Sequence, residues 1–142
     1  MQKVDIDEIG KKLSRIFVSN KNVLLAYLIG SVSRGEARSD SDIDIVLILN
    51  TIKDFRYGEI SAKIVDALHT DNADVRVVLP GETDPLFLFQ ILKEGQILYE
   101  TSSNARLQFE TYALKVYYDT QYMRDVYRQY LNERLDRKQF AG

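Results

Sequence analysis

The chain has no cysteine and no tryptophan, only two prolines and a single histidine in 142 residues. Without cysteine there is no disulfide framework, no thiolate nucleophile and no cysteine-based zinc site. No apolar run approaches the twenty or so residues that a membrane span needs. Charge of one sign is also lacking, since 19 basic side chains stand against 21 acidic ones for a net charge of −2. That balance offers no strong attraction to duplex nucleic acid or an anionic membrane. The opening residues Met1-Gln2-Lys3-Val4-Asp5 lack the basic and apolar regions of a signal peptide, so the expected compartment is the cytoplasm. Repeats, low-complexity tracts and proline-rich linkers are absent too. What remains is 45% hydrophobic and 28% charged. This is the composition of one soluble domain over 1–142, large enough to bury roughly 68% of its unfolded surface.

The apolar pattern predicts an α+β (mixed α/β) chain of about four strands and four helices. From Asp5 to Val18, Ile6, Ile9, Leu13, Ile16 and Phe17 fall at the three-four spacing of one helix face. Val23 to Ile29 and Ile43 to Leu49 are short apolar runs of the kind that form strands covered on both sides. A helix is predicted from Asp54 to His69, a strand from Val75 to Leu79, and a helix opened by Asp84-Pro85 and closed at Gly95. A short strand from Gln96 to Tyr99 follows. Thr101 to Asn104 then cap a last helix reaching about Arg137.

Chemistry concentrates between the first two strands, in the stretch from Gly30-Ser31 through Ser41 to Asp42-Ile43-Asp44. Alternation along a strand puts Asp42 and Asp44 on one face, about 6.7 Å apart, while Ile43 and Ile45 enter the core. Two such charges about 4 Å apart repel by roughly 4 kcal/mol at an effective dielectric near 20, so a cation is expected between them. Carboxylate oxygens suit Mg²⁺ or Mn²⁺, and a pair of such ions about 3.5 to 4 Å apart is the usual clamp for displacement at phosphorus. Asp74, at the head of the third strand, is the best candidate for a third ligand. Asp71, in the turn, and Asp66, in the preceding helix, compete less well. Gly30 permits a tight bend and close approach of a ligand, Ser31 and Ser41 add hydroxyl donors, and Arg34 can add charge-assisted bonds. The loop reads as a triphosphate cradle.

Gly30-Ser31, Arg34-Gly35, Ser39-Asp40-Ser41-Asp42-Ile43-Asp44 and the later Asp74 resemble the minimal nucleotidyltransferase (MNT) domains of the DNA polymerase β superfamily. The likeness covers nearly the whole chain and is greatest to the MntA-type antitoxins of HEPN–MNT toxin–antitoxin pairs. The resemblance implies a nucleotidyltransferase fold with a central mixed sheet, Mg²⁺ as cofactor and ATP as substrate. It also implies transfer of AMP to a tyrosine of a partner HEPN ribonuclease, which silences it. On that likeness Asp42, Asp44 and Asp74 are metal ligands and Gly30 and Ser31 hold the nucleotide phosphates. Ser33 departs from the small apolar residue common at its position.

Elsewhere the simpler readings prevail. His69 is expected to satisfy carbonyls at a helix end, and Tyr57 and Tyr99 to pack. Residues 104–142 differ from the rest, with seven basic and five acidic side chains and six of the nine tyrosines. Tyr112, Tyr117, Tyr127 and Tyr130 join Met123, Val126 and Leu131 in a stripe broader than one core-facing seam requires, flanked by Arg124, Arg128, Arg134 and Arg137. Tyr and Arg are enriched where proteins meet, so helix 104–138 is expected to contribute to a partner interface. Two other functions remain open: adenylylation of a small molecule such as an aminoglycoside, and inhibition of a partner by contact alone.

Overall fold

The computed structural model describes residues 5–30 and 42–141, with side chains to residue 137. They form α1 (Ile6–Val18), β1 (Val23–Ile29), β2 (Ile43–Leu49), α2 (Tyr57–Leu68), β3 (Ala73–Val78), α3 (Pro85–Glu94), β4 (Gln96–Glu100) and α4 (Ser103–Ala141). The four strands make one mixed sheet in the order β3-β2-β1-β4. β1 is antiparallel to both β2 and β4, and β2 runs parallel to β3. A parallel pair needs a crossover, which α2 supplies.

Side-chain caps begin α1 and α3. The Asp5 carboxylate accepts from the Asp7 and Glu8 amides at 3.0 and 3.5 Å, and the Asp84 carboxylate accepts from the Phe87 amide at 3.2 Å. α2 begins three residues later than its apolar spacing predicts. Asp54 takes a left-handed φ of 60° and the Phe55 amide donates to Ile52 at 3.0 Å, so a turn occupies that stretch. His69 does sit at the end of α2, but its backbone does the capping: at φ 53° its N–H donates to the Asp66 carbonyl.

The sheet is covered on both faces, which is why β1, and β2 beyond Asp44, read as unbroken apolar runs. On one face Ile9, Leu13 and Phe17 of α1 and Ile60 and Ile64 of α2 pack against Ala26, Leu28, Ile45 and Leu47. On the other, Phe87, Leu88 and Ile91 of α3 and Phe109 and Ala113 of α4 pack against Leu25, Tyr27, Val46 and Ile48. α4 has 39 residues, a rod of about 58 Å, and every described side chain from 125 to 137 is exposed. None of the helices among the described residues is long and apolar enough to cross a membrane.

Candidate functional site

The main chain brings three of the sequence-predicted positions to one edge of the sheet. In the antiparallel pair, Ile29 stands opposite Asp44, which delivers Gly30 next to the Asp44 carboxylate. In the parallel pair, Asp44 stands opposite Asp74, so β2 and β3 carry their acids side by side. Asp42 lies one residue before β2 and is exposed, as is Asp74, whereas Asp44 is half-buried. A hydrogen bond of 2.7 Å from the Ile43 amide to the Asn72 carbonyl ties the approach to β2 to the start of β3. Asp66 and Asp71 are exposed on α2 and in the turn before β3. Ser31, Arg34 and Ser41 lie outside the described residues.

Gly30 is fixed by geometry. Its φ is 82°, and a Cβ added there would stand 3.0 Å from Asp44 Oδ2. A residue without a side chain lets the carboxylate lie against the bend.

The electrostatics of the edge are unbalanced. Burial pushes the Asp44 pKa up from its usual value, Asp74 and then Asp42 push it further, and Arg76 pulls it partly back. Like charges held close disfavour a further ionised carboxylate among them, and the cation of Arg76 offsets part of that. Among the described residues, no three His, Cys, Asp or Glu side chains are drawn together into a ready metal-holding group. The backbone sets Asp44 and Asp74 in register across the parallel pair.

Arg76 is the residue that sequence reasoning missed. It stands opposite Val46 and two residues beyond Asp74, hence on the same face of the sheet. Its guanidinium carbon lies 3.7 Å from the centroid of the Phe87 ring. The Asp-x-Arg alternation in β3 was the available signal. Of the two tyrosines expected to pack, one does and one does not. Tyr99 packs on Phe17 with ring centroids 5.7 Å apart. Tyr57 is exposed, with its hydroxyl donating to the Val75 carbonyl at 2.7 Å.

A family profile described as polymerase beta, nucleotidyltransferase matches residues 11–104, a span holding Gly30 and all three acidic positions. Among solved structures, a chain of a toxin–antitoxin crystal structure with AMP-PNP is similar at a TM-score of 0.69 and 23% identity. That match covers 86% of this chain and 97% of that one. A chain from the tri-AMPylated Shewanella oneidensis HEPN toxin in complex with MNT antitoxin is similar at 0.66 and 20% identity, covering 89% and 98%. A chain of a mutant MntA–HpeT toxin–antitoxin is similar at 0.64 and 25% identity, covering 91% and 98%. The searched curated proteins contain no match.

Proposed function

Because the chain belongs to the polymerase β nucleotidyltransferase family, we propose that it is an antitoxin protein adenylyltransferase. It acts in the cytoplasm, transferring AMP from ATP to a tyrosine hydroxyl of a HEPN ribonuclease partner and so neutralising it. The observation that carries this reading is the register that sets Asp44 beside Asp74 and against the Gly30 bend. The similar chains that crystallise with AMP-PNP, or with an AMPylated HEPN toxin, support the choice of nucleotide and acceptor.

In this reading the acceptor oxygen forms a bond to the α-phosphorus, the bond to the β-phosphate oxygen breaks, and pyrophosphate leaves. Gly30 and Ser31 hold the phosphates, helped by Arg34 and the Ser41 hydroxyl, and Asp74 takes the proton. The donor set is three carboxylates, hard oxygen ligands that fit Mg²⁺. Divalent cations held by Asp42, Asp44 and Asp74 would supply charge to ease deprotonation of the acceptor and departure of pyrophosphate. The stretch 104–138 serves as the partner's docking helix, since its outer half exposes Tyr122 (74%), Met123 (66%) and Tyr127 (62%).

That exposed face also supports a second reading, inhibition by contact alone, because it needs no chemistry. Incubation with labelled ATP, Mg²⁺ and the HEPN-domain product of the adjacent gene separates the cases. Label and the mass of AMP are expected on the HEPN chain, and Asp42→Asn with Asp44→Asn should abolish both. Transfer by the double variant at the wild-type rate would remove the assignment. Stable binding without label would favour contact alone, and label on an added aminoglycoside a small-molecule transferase.

A further inference from the structure

The acidic edge has two flanks, with β2 at its centre, β1 and Gly30 on one side, and β3 and Asp74 on the other. If the phosphates lie at the Gly30 bend, in-line displacement brings the attacking hydroxyl in from the Asp74 flank. The next side chain of β3 on that face is Arg76.

Arg76 is held in an uncommon way for a cation beside carboxylates. Among the described residues it makes no ion pair with them, and its guanidinium carbon lies over the Phe87 ring, 3.7 Å from the centroid. Phe87 is only 8% exposed, fixed between α3 and the sheet, so it is a rigid platform. Arg76 itself is exposed, so its side chain is accessible to an incoming group. A planar cation already seated over one ring is preorganised to take a second, because aromatic faces attract it and little side-chain freedom remains to be lost.

We propose that Arg76, backed by Phe87, receives the ring of the acceptor tyrosine and sets its hydroxyl beside Asp74, so that the enzyme selects phenolic over aliphatic acceptors. This rests on the adenylyltransferase reading and names the group that chooses its acceptor. A serine or threonine has no ring to place there. Lysine at 76 would keep the charge and lose the flat face.

The test measures initial rates of AMP transfer over a range of HEPN partner concentrations, and separately over a range of ATP concentrations. Arg76→Ala is expected to raise the acceptor KM about five- to thirtyfold, the range of one cation–π contact. The ATP KM should stay within twofold, while the melting temperature falls by no more than a few degrees, the worth of the lost contact with Phe87. Arg76→Lys should not restore the acceptor KM. An unchanged acceptor KM, full rescue by lysine, or an equal rise in the ATP KM would overturn the inference while leaving the transferase standing. Absence of transfer by the wild-type chain would overturn both.

Discussion

Asp44 is pressed from two sides, by Asp74 across the parallel pair and by the Gly30 bend across the antiparallel one. Its pKa is raised by burial first and by the two neighbouring acids next. A carboxyl that binds protons better in the folded state than in the unfolded chain lowers stability once it ionises. The penalty is absent below the unfolded pKa and sets in as pH rises through the folded one. Asp44→Asn is therefore expected to raise Tm at pH 7 in metal-free buffer and to leave it nearly unchanged near pH 3, although it removes AMP transfer. Melting curves at both pH values check the sign, and a fall in Tm at pH 7 would contradict it. Gly30→Ala acts through shape. A left-handed φ strains any residue with a Cβ by about 1–2 kcal/mol, and the added carbon would press on Asp44 Oδ2. Denaturant midpoints should show that loss, and calorimetric titration with ATP should show weakened binding.

The elements were legible to different degrees, for physical reasons. β1 could be read directly, and β2 from Ile45 on, because a strand stretch buried on both faces must be apolar throughout. α3 was bounded to the residue by Asp84, Pro85 and Gly95, each of which acts locally. The start of α2 could not be read, since the turn at Asp54 depends on a left-handed backbone that the residue type does not demand. Pairing was harder. That β3 runs parallel to β2 with Asp74 opposite Asp44 is a long-range property, and only the shared need for a third acid pointed to it. Arg76 was passed over because a charged residue on a half-covered strand looks like an ordinary solvated side chain; its partner Phe87 is eleven residues away on another element. One long-range link can be probed alone. The Tyr27 hydroxyl donates to Glu110 at 2.9 Å, joining β1 to α4, and Arg106 pairs with the same carboxylate at 3.0 Å. Burial and Glu110 both raise the Tyr27 pKa, so this hydroxyl stays protonated through neutral pH. Tyr27→Phe should cost about 1.5–3 kcal/mol in chemical denaturation, the worth of a hydrogen bond to a charged acceptor.

At the level of the whole molecule, the domain divides into a sheet covered on both faces and a helix that outruns it. α4 is anchored where Phe109 and Ala113 enter the core and where Tyr117 stacks on Phe89 at 4.1 Å between ring centroids. Beyond Arg124 every described side chain is exposed. A chain ending at Tyr122 should keep its melting temperature within a few degrees and its ATP affinity within twofold. Its affinity for the HEPN partner should fall at least tenfold in calorimetry, and undiminished affinity would refute the docking role of this helix. The same outer turns have no tertiary packing to hold them, and a helix in water draws most of its stability from such packing. They therefore open at low cost, and a protease would begin trimming the chain there while the core remained whole. A partner seated along those turns would shield them, so the lifetime of this protein would depend on the company it keeps.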